Sequence, residues 1–571
     1  MLFLFRFTVL ILLFNTLYEN LQSQIPTTEN HGLKLNGTAD ISSEIYTSNR
    51  LSSIQPNETS IRAIILSTVY ISDKIEMPVR IYLSTQSGKH QQPFNQIGAS
   101  PVFFNWLTVH MGYFSTKLSE LTFGDHTILG GGVEKKDGKF RFSILYGRML
   151  ASLEPDLNDT NNKFLGSFRR EGFAFKIGFG EREKVSVDLN LAKMYDNSSS
   201  IDTIPNGLYP YENAVGSLSF GVNMLKGKII IKGEAAFCAF SNDTRIEENK
   251  SVHVGPLRIL LVPRYSSNID GAAVLNIKFN PNENYNFGFE SKWIGPGYVT
   301  LSYPQMQNDV FENSLNTRLN LFTNKLFLTA GATYKINNLR DTRLTTSKTF
   351  LGSVTSLWKP SNKFTLNLRF YQYSINSNPG IDTLKIKVNI DSTKVDTVYN
   401  GNILKIDNIT RSFSVSPSFY FILFNNTFSL MFTYSYRGFH DNSILTSGLN
   451  KSISHDIRGE TSINFPSSLY LSAGLGFTSS EIAKLKTGIT SINQTIGYSL
   501  FNYQLNISSN FNYSVTGGNN GGKQISERLT FTYSLVKWGQ LNLNAYLNSF
   551  KDDSNTNITE YQATLQYLYY F

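Results

Sequence analysis

The chain is poor in most of what marks a soluble enzyme. One of its 571 residues is cysteine, so no intramolecular disulfide can form. Without a second thiol, Cys238 in Ala235-Ala-Phe-Cys-Ala-Phe240 reads as a small buried filler on the inner face of a strand rather than a redox or metal-binding group. Charged residues are 17% of the chain, against about 25% in ordinary globular domains. Beyond residue 24 no apolar run approaches the roughly 18 residues of a membrane-spanning helix, and mean hydropathy is −0.19. HExxH, paired CxxC and G-x-S-x-G are all missing. Gly517-Gly-Asn-Asn-Gly-Gly-Lys523 joins two strands and has no helix after it, so it lacks the aligned amides of a phosphate-binding loop. The net charge of +9 comes without a basic cluster or recognition motif, which argues against nucleic acid as a partner. No cofactor motif is present.

Aromatic residues are abundant: 13%, with 30 Tyr and 42 Phe. They recur with a period of two. Phe428, Leu430, Phe432, Tyr434 and Tyr436 alternate with Ser429, Thr433 and Ser435. Leu541, Leu543, Ala545 and Leu547 alternate with Asn542, Asn544 and Asn548. In 502–514, Tyr503, Leu505, Ile507, Phe511 and Tyr513 oppose Gln504, Asn506, Ser508, Asn510 and Asn512. Tyr285, Phe287, Phe289 and Trp293 oppose Asn286, Glu290 and Lys292. A strand with one apolar and one polar face suits a wall between lipid and water.

Turn chemistry divides the connections into two kinds. Short ones carry Pro, Asn, Gly or Lys, as at Lys135-Lys-Asp-Gly138, Leu225-Lys-Gly227, Asn280-Pro-Asn-Glu283, Pro360-Ser-Asn362 and Pro466-Ser-Ser468. Long ones cover 151–168, 196–211, 242–264, 295–309, 377–408 and 440–453. This predicts an all-β fold: a single transmembrane antiparallel up-and-down barrel of about 26 strands, within about 22–28. The first strand lies near Leu33–Tyr46 and the last at 558–571, and these two must pair, since an open edge in lipid leaves backbone groups unsatisfied. Met1-Leu-Phe-Leu-Phe-Arg6 and the apolar Phe7–Phe14 predict a signal peptide over 1–23. A short periplasmic segment, 24–32, then precedes the barrel, 33–571, leaving no room for an amino-terminal plug or other soluble domain.

The carboxy terminus, with Leu565, Tyr567, Tyr569 and Phe571 on one face, resembles the signal of Gram-negative outer-membrane proteins. That resemblance implies recognition by the barrel-assembly machinery and residence among outer-membrane lipid and lipopolysaccharide. Phe94–Phe103, Leu107–Tyr113, His126–Glu134, Gly138–Arg148, Pro263–Ser266 and Leu344–Lys348 resemble uncharacterised, porin-like outer-membrane barrels of the Bacteroidota. This implies location and architecture, and no activity.

Arg141, Lys232, Glu234, Glu290, Lys292 and Arg369 fall on inward registers. Lumen charges either steer anions or pair with one another to stiffen the wall, and Arg169-Arg170 belongs with them. His110, between Val109 and Met111, should face the lumen as a hydrogen-bonded structural residue. Asp125-His126, His440-Asp441 and His455-Asp456 raise water activation at the rim, as in omptin-type surface proteases. Neighbours on a strand point to opposite faces, however, so solvated loop residues are the simpler reading. Three functions stay open. The chain could be a non-enzymatic channel with its bore obstructed by loops 377–408 and 242–264 or by a plug partner. It could be a docking component of a secretion or surface-assembly complex, or a rim hydrolase. All share one expected outcome: the processed chain leaves membranes only with detergent and gives a β-type far-ultraviolet spectrum. A detergent-free soluble fraction or a helical spectrum overturns it.

Overall fold

The computed structural model describes residues 33–571 apart from 50–58, 86–91, 93–94, 125, 157–163, 250, 252–253, 380–382, 391–392, 401–404, 444–449, 519–520, 536–537 and 553–555. The expected leader lies outside the described residues. The chain forms a closed, antiparallel barrel of 26 strands. One strand position is shared by two short pieces, Gln96–Ala99 and Val102–Phe103, which pair with the same two neighbours. Pro101 lies in the gap between them; it has no amide proton to give the ladder, and its carbonyl instead accepts from Val109 N at 2.8 Å.

Closure follows the expected seam. Leu33–Ser48 pairs with Asn557–Tyr570 from Thr38↔Tyr570 to Ser48↔Glu560. Gly37 and Phe571 exchange both backbone hydrogen bonds, at 2.8 and 3.1 Å. Small Gly37 and Ala39 lie opposite large Phe571 and Tyr569. Tyr567, Tyr569 and Phe571 stack in series and bury Ala39 and Ile41. The terminal aromatic row thus fills the outer side of the joint.

Every hairpin connection at the end where the chain finishes is short; the long connections gather at the opposite end. Ile144, Tyr146, Phe179, Leu218, Phe237, Leu315 and Leu475 are exposed on the outer face, as an apolar belt requires. The alternation misplaces one strand boundary. Phe501, Asn502 and Tyr503 all have positive φ and form the turn before Leu505–Gly518, so Tyr503 belongs to the turn and not to the outer face.

The wall also carries a crease. Gly98, Gly112, Gly130, Gly147 and Gly172 are successive register partners across five neighbouring strands. All five lie on the inward register. A Cβ at Gly98, Gly130 or Gly172 would stand 1.8–2.1 Å from a neighbouring backbone oxygen, so the sheet folds toward its inner face along this row. The rings of His110 and Phe114 show the sharpness of the bend: their centroids are 4.4 Å apart and stacked, whereas residues four apart on a straight strand are separated by about 13 Å. Glycine kinks in register are how a sheet turns a corner.

Gly130→Ala should therefore cost about 3 kcal/mol or more, because the methyl meets the Tyr146 carbonyl at 2.1 Å and backbone cannot swing aside. Gly131→Ala, whose Cβ finds its nearest neighbour at 3.4 Å, should be tolerated. Heat-modified migration in gels and urea unfolding in detergent distinguish the two; equal stability would remove the crease.

Candidate functional site

Within the barrel, the inner face beside the crease is apolar, unlike the wet lumen that alternation implies. Phe114, Ile128, Leu145, Met149, Ala174, Ala192 and Met194 cluster there with Leu118, Phe123 and Leu301. Val215, Ala236, Cys238, Ala272, Val274 and Ile294 cluster with Leu121 and Tyr298. In each case the covering residues come from two connections folded inward from the long-loop end: 117–124, and 295–309.

Polar anchors hold these connections. The Glu234 carboxylate accepts from Glu120 N at 3.0 Å and Leu121 N at 3.3 Å. Lys176 Nζ donates to Leu118 O at 2.7 Å, and Thr122 Oγ1 donates to Ser217 Oγ at 2.6 Å. The connections also bind each other. Tyr298 OH donates to Leu121 O at 2.9 Å, while Thr300 Oγ1 and Ser302 Oγ donate to Thr122 O at 3.0 and 2.6 Å. Burial pushes the Tyr298 hydroxyl well above its usual pKa, so it remains a donor. Asn213 spans wall and connection, giving to Val299 O and accepting from Leu301 N. Asp270 accepts from Gly297 N at 2.7 Å and pairs with Arg340 at 2.7 Å; Arg343 pairs with Asp309 at 2.7 Å.

The obstruction therefore differs from the one expected. Residues 117–124 carry no length or composition signal and were missed; 295–309 appears only as a long connection. Of the two loops expected to obstruct, 242–264 does not turn inward. Its Val254, Leu257 and Leu261 bury Ala214 and Ala239, which share the outward register of Leu218 and Phe237. Loop 377–408 falls in part outside the described residues; Thr383–Ile390 and Thr393–Asn400 pair as a separate hairpin.

The sequence-nominated charges separate into different roles. Arg141 is 1% exposed and ties strands together: it pairs with Asp188 at 2.6 Å and donates to the carbonyls of Gly138, Phe179 and Gly180. It is not open to a solute. Glu234 is a loop anchor. Lys232 is exposed to the lumen, Glu290 and Lys292 are half-buried on the strand Tyr285–Ile294, and Arg369 is exposed on a different sector of the wall. The structure brings Lys232 and Glu234 together and leaves Arg369 apart. Arg170 is bidentate on Asp196, at 2.8 and 3.0 Å.

A cavity of about 650 Å³ lies under 117–120, lined by Lys176, Arg182, Asp188, Asn223, Lys232, Glu234, Asn276 and Lys278. The lining holds five cations, with Lys117 completing Lys176, Arg182, Lys232 and Lys278, against the three anions Glu120, Asp188 and Glu234, a cationic excess of two.

The histidines do not assemble a rim site. His110 is buried, with Ser100 Oγ at 2.9 Å and Glu134 at 3.5 Å. His455 lies outward beside Tyr434, 3.0 Å from its hydroxyl, and His440 shares the register of Tyr434 and Tyr436. Asp456 points inward, bonded to Thr478 and Arg458. At 440–441 and 455–456 the wall separates the imidazole from its neighbouring carboxylate; Asp125 lies outside the described residues. Among the described residues no group of His, Cys, Asp and Glu could hold a metal.

No family model matches the chain, and no curated protein matches it. Among solved structures, OccAB2 of Acinetobacter baumannii is 10% identical, with TM-score 0.30 over 68% of this chain and 97% of that one. OccK9 (OpdG) of Pseudomonas aeruginosa is 9% identical, with TM-score 0.31 over 69% and 98%. A mutant ferric enterobactin receptor (PfeA) of Pseudomonas aeruginosa is 8% identical, with TM-score 0.36 over 95% and 81%. Likeness at this level carries no argument about the chain, whose barrel rests on its own strand pairing.

Glu234→Ala should free the 117–124 connection at a cost of about 2–3 kcal/mol, since two amides lose a charged acceptor. Hydrogen exchange at Glu120 and Leu121 should accelerate while the wall strands remain protected. Unchanged exchange at those amides contradicts the anchoring role.

Proposed function

We propose that the chain is an integral outer-membrane barrel through which small solutes pass, its bore narrowed from one side by 117–124 and 295–309. The observation that supports this is the mismatch between the wall and its filling. Twenty-six strands about 4.8 Å apart and tilted by about 40° enclose, if round, a cylinder of roughly 25 Å radius. The two inward connections cover only the arc of wall beside the crease. Across the rest, inward side chains form amide and hydroxyl ladders, Thr530 on Asn544, Gln524 on Asn548, Asn542 on Gln566 and Thr495 on Asn510, interspersed with charges such as the Asp456–Arg458 pair. Such a surface holds water.

The outward apolar face and the terminal aromatic row support residence in the outer membrane, delivery by the barrel-assembly machinery and contact with lipopolysaccharide. The resemblance to Bacteroidota barrels is part of the same reading. A separate plug or secretion partner remains compatible with the open arc, and a docking role is then the alternative. Rim hydrolysis loses support, because His440 and Asp441, like His455 and Asp456, lie on opposite faces.

Planar-bilayer recording with pure protein decides between them. A channel gives stable, large current steps, and replacing Glu234 and Tyr298 together, which releases the inward connections, should change step size or add noise. Silent bilayers containing folded protein favour docking and overturn the channel.

A further inference from the structure

The cavity under the inward connection has a chemistry of its own. Gly221, Lys232, Asn276 and Lys278 sit on adjoining inward positions of three paired strands: Gly221 is opposite Lys232, Lys232 is opposite Asn276, and Lys278 lies two residues beyond Asn276. Diagonal neighbours of this kind are about 7–8 Å apart. The two ammonium groups can therefore close on one oxyanion, with the Asn276 amide between them. Among the described residues no carboxylate pairs with Lys232, Lys278 or Lys117 within 4.0 Å. Of the acids nearby, Asp188 is held by Arg141 and Lys176 and Glu234 by the amides of Glu120 and Leu121, while Glu120 in the lining and Glu290 opposite Asn276 form no ion pair with these lysines.

The other side of the cavity is neutral and hydrogen-bonding. Ser186 lines it beside Gly221, and its hydroxyl can exchange a hydrogen bond with a hydroxyl of a solute. Gly221 leaves the floor bare; a Cβ there would meet only Ser186 Oγ, at 3.1 Å. The volume of about 650 Å³ suits a compact solute, within the roughly 300–1,000 Å³ of small-molecule sites.

We infer that this cavity is a binding subsite for small hydroxylated solutes bearing a phosphate or carboxylate. Lys232 and Lys278 take the oxyanion and Ser186 takes a hydroxyl. The inference deepens the channel reading and rests on it for the solute's route, though not for binding itself.

Glucose 6-phosphate serves as probe and glucose as its neutral counterpart, with the full chain in detergent and, separately, in planar bilayers. Calorimetry should show saturable binding of glucose 6-phosphate, weakened by salt, and none of glucose. Lys232→Glu with Lys278→Glu should weaken it at least about tenfold. Gly221→Leu, which leaves every charge in place but occupies the floor, should weaken it comparably, with folding verified by heat-modified migration. Binding unchanged in both variants, equal binding of glucose, or no saturable binding overturns the subsite. Should calorimetry succeed and bilayers stay silent, the subsite stands and the channel falls; current without calorimetric binding gives the reverse.

Discussion

A strand in hydrocarbon has no water to satisfy its free edge, so each backbone donor and acceptor must find a partner within the protein. Every other feature of this chain is arranged around that demand. It fixes the pairing of the first strand with the last, makes the strand number even when both ends lie on one side, and explains why Pro101 is tolerated only in a gap between two short pieces. At the joint, backbone pairing is reinforced by shape: glycine and alanine on one strand accept the aromatic rings of the other.

The same demand reaches the inward connections. A segment folded into the bore exposes backbone amides that no ladder can use. Here they are met by side chains of the wall: Glu234 for two amides of 117–124, Asp270 for Gly297, Asn213 for Val299 and Leu301. Apolar burial of Leu121, Phe123 and Tyr298 supplies the attraction, and the carboxylates and amides fix the position. The result is a lumen with two characters, one arc covered and apolar, the other lined by amides, hydroxyls and scattered charges.

Much of this was legible in advance. Alternation gave the strand order, turn chemistry gave the two kinds of connection, and Gln562, Thr564 and Gln566 between aromatic neighbours gave the final strand. The dry arc was less so. Its signal is the failure of alternation in Ala235–Phe240, where both faces are apolar; that pattern says a strand is covered on both sides without saying by what. The eight residues 117–124 give no sign of turning inward, because their anchor, Glu234, lies more than a hundred positions away. Arg141 looked like a lumen charge because inward register alone does not reveal that Asp188 and three carbonyls surround it. The glycines of the crease were visible one at a time, but their alignment exists only once register is known.

That alignment bears on how firmly register is held. A fold line built from single residues of five consecutive strands has no meaning for one hairpin: each glycine is needed only because the next strand crowds it. Until all five are in register the bend has nothing to define it, and afterwards none can slide by a rung without thrusting a side chain into a carbonyl. In the finished wall the five strands therefore share a single register, and a slip in any of them is resisted by all.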